Sequence, residues 1–243
     1  MAGKFGTRSN VLENPVKRVA VSTGRVVNLT VHGIGKPPRE LEPGEDHTWV
    51  RADQFERVLD AVVERPDVRL TFDDGNASDV EIALPKLIER GLTAEFFLLA
   101  GRVGEKGRID ADGIDALLGS GMSVGSHGWA HRDWRRLGGQ HVEQEFRIAP
   151  RVLARHAGVP VRRVAVPFGS YDRRVLAALR ASGVQRVYTS DGGAARGDSW
   201  LQPRTSLRHD LDDAWIDDVL AGAPGIRRRA RRTVAKFVKQ WRG

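Results

Sequence analysis

Asp73 and Asp74 close an apolar run, and roughly fifty residues later His127 and His131 stand four positions apart. One carboxylate and two imidazoles form an oxygen and nitrogen ligand set that leaves coordination positions open on a divalent cation, as hydrolytic metal chemistry requires. The second carboxylate is then spare. At a strand end that turns on a glycine, here Gly75, both carboxylates can enter one pocket with different aims, one to ligate and one to stay free. A bound cation brings the pKa of water down to about 7, so a free carboxylate beside it can take the proton as that water attacks.

His127-Gly128-Trp129-Ala130-His131 spaces the two imidazoles by one helical turn, which lets both reach one ion. The chain has no cysteine, so thiolate ligands, a cysteine nucleophile and a disulfide framework are all excluded. Zinc is the expected ion, and cobalt, nickel, iron or manganese also suit the donor set.

These residues need a scaffold, and 243 residues with 40% hydrophobic content suffice for one large domain. Strand-like runs at 26–31, 68–72, 95–99, 122–126, 163–167, 186–189 and a weaker one at 205–207 alternate with helical patterns at 52–64, 79–90, 111–118, 142–156, 173–181 and 211–220. Gly91, Gly121, Gly158 and Gly183 follow helical stretches, where a left-handed cap favours glycine. Repeated strand-then-helix units imply a parallel sheet, either closed into a deformed (β/α) barrel of seven strands or left open and doubly wound. Asp73, Asp74, His127, Pro167, Phe168, Asp191 and His209 all follow strand ends, the edge that carries chemistry in such folds. The polar stretch 33–47 after the first strand belongs to the same edge, as a covering or specificity loop.

The division expected is an N-terminal segment over 1–24, the barrel over 25–222 and a basic amphipathic helix over 223–243. Eight of the 39 basic residues lie between Arg227 and Arg242, and those remaining equal the 31 acidic ones. The net charge of +8 therefore belongs to one terminal segment, which disfavours a nucleic-acid-binding body. Ile226, Ala230, Val234, Phe237, Val238 and Trp241 form an apolar stripe along it, suited either to docking on the domain or to an anionic membrane surface. Neither an apolar leader core near Met1 nor a run of eighteen apolar residues is present, so a cytoplasmic protein is expected, with the tail allowing a peripheral place at the inner membrane face.

Thr71-Phe72-Asp73-Asp74-Gly75 and the His127/His131 pair resemble the first two motifs, T-F-D-D-G and H-S/T-x-x-H, of the polysaccharide deacetylases, carbohydrate esterase family four. The similarity runs from about residue 28 to about residue 210. It implies a deformed (β/α) barrel, a divalent metal held by Asp74, His127 and His131, Asp73 as general base, and removal of an acetyl group from an N-acetylated sugar. Gly128 stands where the family has a hydroxyl residue that braces the loop. The third motif, R-x-P-F/Y-G, appears as Ala165-Val166-Pro167-Phe168-Gly169, without the arginine that orients the base; Arg163 and Arg208 are candidates to replace it. Asp191 and Trp200 fall near the fourth motif but not at its spacing, and Leu207-Arg208-His209 fits the fifth.

Amide cleavage also requires a proton for the leaving amine, and His209 is the expected general acid. Trp129, Pro167, Phe168 and His32 are expected to contact substrate. The substrate would be an N-acetylated oligosaccharide, polysaccharide or lipid- or nucleotide-linked glycan. The alternatives are an O-deacetylase, a non-sugar amide hydrolase of the same family, or a relative that binds glycan without turnover.

Overall fold

The computed structural model describes residues 24–222. The expected N-terminal segment, apart from Gly24, and the basic terminal helix fall outside that range. Seven parallel strands succeed one another: β1 Arg25–Val31, β2 Val68–Asp73, β3 Ala94–Leu98, β4 Ser123–Ser126, β5 Arg163–Ala165, β6 Arg186–Thr189 and, after a short β7 at Ala194–Arg196, β8 Leu201–Ser206. Neighbours in sequence are neighbours in space, and β8 pairs with β1 to close a seven-stranded barrel. The closed alternative is the one realised.

The seam differs from the rest of the barrel. Asn28, Leu29 and Thr30 of β1 pair in parallel with Arg204, Thr205 and Ser206, whereas Arg25, Val26 and Val27 pair antiparallel with Arg196, Ala195 and Ala194 of β7. β8 in turn spends Leu201, Gln202 and Pro203 on β6. The hairpin-like β7 fills the gap where β1 and β8 diverge. Its Ala-Ala-Arg sequence carries no strand signal, and the pattern-based reading misses it.

Helices α1 Ala52–Val62, α2 Leu84–Glu89, α3 Ala111–Gly119, α4 Gly139–Glu143, α5 Ala149–Ala157, α6 Arg173–Ala181 and α7 Asp213–Leu220 surround the barrel. Asp110, Asp172 and Asp212 start α3, α6 and α7 by accepting the backbone N–H three residues on, caps that contribute about 1 kcal/mol each. Two expected helices, over 79–90 and 142–156, contain π turns at Asp79–Ala83 and Gln144–Ile148, each running directly into a helix with proline in its first turn. Among the described residues no helix is long and apolar enough to cross a membrane.

Strand alternation sorts the side chains into two environments. Leu29, Val31, Leu70, Phe72, Phe96 and Leu98 point outward into a core shared with Phe55, Val58 and Leu59 of α1. Burying each such side chain contributes roughly 1.5–3 kcal/mol. The alternate positions face the barrel interior, which is largely polar. Thr30 and Thr71 hydroxyls meet at 3.1 Å, Asn28 Nδ2 donates to Gln202 Oε1 at 3.1 Å, and Phe97, Ala165 and Tyr188 form a small apolar cluster there. A charged side chain can therefore be held inside, provided that it is paired.

Candidate metal centre

Asp73 ends β2, and the chain turns immediately, with Asp74 at φ 75° and Gly75 at φ 63°. The left-handed turn swings Asp74 to the side that Asp73 already faces, and both are buried. His127 follows β4, its N–H donating to the Leu98 carbonyl at 2.8 Å. The segment from His127 to His131 is not the helical turn that its spacing suggests. Gly128 and His131 take positive φ values of 86° and 53°, so a loop folds back and brings the imidazole centroids to 5.1 Å.

Asp74 Oδ1 lies 3.5 Å from His127 Nε2 and 3.6 Å from His131 Nε2. One donor atom from each of Asp74, His127 and His131 falls within 4.8 Å of the others, and Asp74 Oδ1 is buried without a hydrogen-bond partner. A buried carboxylate oxygen left unpartnered between two ring nitrogens fits a cation, since burial of an uncompensated polar group is otherwise costly. His127 Nδ1 sits 2.9 Å from the Ala165 carbonyl, which fixes the proton on Nδ1 and leaves the Nε2 lone pair free for a metal. Burial pushes the His127 pKa down to about 4 against the pull of Asp73 and Asp74, so this ring is neutral across ordinary pH. For Asp74, burial pushes upward, but its interactions with His131 and His127 outweigh it and hold the carboxyl below its usual range.

Asp73 is kept apart from this trio by a different partner. Arg204 Nη1 donates to Asp73 Oδ1 at 2.7 Å and Nη2 to Oδ2 at 2.6 Å, a bidentate pair with the guanidinium wholly buried. Burial alone would raise the Asp73 carboxyl; the Arg204 charge, His127 and the paired bonds bring it below the usual value. Asp73 Oδ2 remains 3.8 Å from His127 Nε2, within reach of whatever the trio holds.

Neither arginine proposed from sequence fills this place. Arg163 pairs with Glu95 at 2.6 Å, and Arg208 pairs with Asp210 at 3.4 Å on the surface. The fourth-motif candidates also separate. Asp191 accepts from Tyr171 Oη and Thr189 Oγ1, whereas Trp200 donates to the Val184 carbonyl and lies under Arg180.

His209 is exposed, with Nδ1 3.2 Å from the His47 carbonyl, and no described interaction joins it to Asp73, Asp74, His127 or His131. His32 differs in each respect. It is among the groups that lower the pKa of both aspartates, its Nδ1 is buried without a hydrogen-bond partner, and its carbonyl accepts from Asn76 Nδ2 at 2.6 Å. Asn76 is itself fixed by Arg39 at 2.8 Å and Arg108 at 3.1 Å, so the loop after β1 is tied to the turn that carries Asp74. Glu42 of that loop stands 3.9 Å from His131 Nδ1 and 2.9 Å from Arg102.

Phe168, at φ 57°, is 63% exposed with its ring centroid 4.2 Å from that of His131, while Pro167 before it is buried. Trp129 packs across Gly101, where an added Cβ would meet the indole at 2.4 Å. Arg204, Asn76 and Glu145, which accepts the Trp129 and Ala130 N–H groups, are residues of the candidate site that sequence reading missed.

Residues 60–187, just over half of the chain, match the family model described as polysaccharide deacetylase. The chain belongs to the polysaccharide deacetylase family. The Bacillus subtilis (strain 168) protein YxkH, provisionally described as a polysaccharide deacetylase, is 26% identical over 134 residues, covering 55% of this chain and 48% of that protein. The chain thus spans about half the length of the curated relative it matches. Among solved structures, the Streptococcus pyogenes deacetylase PplD in complex with acetate superposes with TM-score 0.71 at 17% identity, covering 82% of this chain and 99% of that one. BC0361, a polysaccharide deacetylase from Bacillus cereus, gives 0.70 at 20% identity, covering 81% and 69%. These two likenesses bear on the fold.

Proposed function

We propose that this chain is a metal-dependent deacetylase that hydrolyses the acetamide of an N-acetylated sugar. The observation that carries the reading is the unpartnered Asp74 Oδ1 between two imidazole nitrogens, with the second aspartate ionised nearby and excluded from the trio by its own arginine. Asp74, His127 and His131 would hold one divalent cation, zinc first among the ions that suit them. Such a cation supplies Lewis acidity, polarising the acetyl carbonyl and acidifying water.

The remaining work falls to the protein. Asp73 takes the proton of the attacking water, and Arg204 keeps it ionised and aimed. Breaking the C–N bond leaves an amine that must be protonated, and an imidazole can carry that proton near neutral pH. His32, half-buried just after β1 with its Nδ1 shielded from solvent and among the groups that lower the pKa of both aspartates, is better supported for this step than the exposed His209. Phe168 offers an exposed aromatic face beside His131, suited to a sugar ring or the acetyl methyl.

The test combines metal analysis of the purified protein with acetate release from a panel of N-acetylated oligosaccharides and carrier-linked sugars. Release that a chelator abolishes and added metal restores is the expected result. Metal-loaded protein that releases no acetate from any of them would overturn the reading.

A further inference from the structure

Gly128 breaks the family's second motif at the residue whose hydroxyl should brace the loop, yet the loop between the two histidines is braced. A single carboxylate does it. Glu145, its side chain wholly buried, accepts the Trp129 N–H at 2.7 Å and the Ala130 N–H at 3.3 Å, both inside the His127–His131 span. It also accepts Trp134 Nε1–H at 3.3 Å and Arg132 Nη1–H at 3.3 Å, just beyond the span. Four donors converge on two oxygens, the coordination a buried carboxylate needs to remain charged.

The same oxygens explain the glycine. A Cβ added at residue 128 would lie 2.0 Å from Glu145 Oε2, and φ of 86° already disfavours any side chain there. A serine or threonine and this carboxylate cannot occupy the place together. Glu145 lies in the π turn Gln144–Ile148, where one extra residue per turn re-aims side chains, and such turns recur at functional sites.

We propose that Glu145 is a positioning residue for the metal ligands: with Gly128 it forms one unit that sets the separation and aim of His127 and His131, in place of the hydroxyl brace. This rests on the reading of Asp74, His127 and His131 as a metal site. The carboxylate holds the main chain between the ligands, so losing it loosens both rings without removing either donor.

The test is cobalt(II) titration of the full chain, wild type, Glu145→Gln and Gly128→Ala, read by dissociation constant and visible absorption, with melting of the metal-free proteins followed in parallel. Wild type should bind one ion. Glu145→Gln should bind about tenfold or more weakly, with an altered visible band. Gly128→Ala, which drives a methyl into the retained carboxylate, should weaken binding similarly, and the loss should be smaller when the same change is made in Glu145→Ala. A Glu145→Gln protein that melts lower but keeps wild-type affinity and spectrum would reduce Glu145 to a structural residue and overturn the proposal. If that variant does not fold, wild-type affinity and spectrum in Gly128→Ala overturn it instead. Wild type that binds no cobalt would remove the metal reading itself, a separate and recognisable failure.

Discussion

Arg204 on β8 and Asp73 at the end of β2 meet inside the barrel from either side of β1, joined by two hydrogen bonds of 2.7 and 2.6 Å and sealed from solvent. The family's motif arginine would have come from residue 165, which is alanine here. Ala165 contributes its carbonyl to His127 instead, while Arg204 pairs with Asp73 from the far side of the seam. His127 and Asp73 are therefore held by different strands.

Removing Arg204 should damage stability and catalysis together. Arg204→Ala leaves a buried carboxylate with no counter-ion, a change that typically costs about 3–5 kcal/mol. Burial then acts on Asp73 unopposed by the guanidinium, so its pKa rises and the acidic limb of the rate profile moves to higher pH. Arg204→Lys restores the charge but not the two-pronged geometry and should fall between. A thermal melt and a pH profile of kcat/KM check this; an unmoved acidic limb would mean that Arg204 does not govern the base.

Asp73→Asn separates the two aspartates. The trio of Asp74, His127 and His131 is intact in this variant, so metal content should stay near wild type while acetate release is lost. Loss of the ion as well would show that Asp73 is the ligand, and the two roles would exchange.

The cluster of Asp74, His127 and His131 beside Asp73 was legible because these residues follow the ends of strongly apolar strands, β2 and β4, where residue type and spacing carry the information. Arg204 was not. It lies in Leu201–Ser206, whose Gln202, Pro203 and Arg204 read as a polar loop, since a barrel with a hydrogen-bonded interior lets strand residues be charged. The weak strand expected at 205–207 caught only the end of β8. Glu145 was hidden for another reason: the helical pattern over 142–156 gives it a place on a regular helix, and the π turn that aims it inward leaves no mark in periodicity. His32 and His209 were both visible as residues that follow strand ends.

His32→Ala and His209→Ala distinguish the two candidate acids. If His32 protonates the leaving amine, His32→Ala should lower kcat on N-acetylated sugars by about a hundredfold or more, while an activated acetate ester, whose leaving group needs little protonation, loses far less. His209→Ala should leave the ratio of amide to ester rates near wild type. The reverse pattern would return the role to His209.

Acid should destabilise the metal-free protein through His127. Burial holds its folded pKa at about 4, whereas an unfolded chain returns it to the ordinary value near 6.5. Between those limits the unfolded state binds the extra proton, so stability falls as pH drops from 6.5 toward 4 and is flat in this respect above 6.5. The loss is of the order of a few kcal/mol, enough to lower Tm by several degrees. His127→Gln, which cannot titrate, should flatten that part of the curve. The depressed carboxyls of Asp73 and Asp74 act in the same direction but lower, as pH falls below their ordinary values near 3.8, so the two contributions are separable in a series of melts. A wild-type curve that is level from pH 6.5 to 4 would mean that His127 is not held neutral by burial, and its assignment as a preformed ligand would fall.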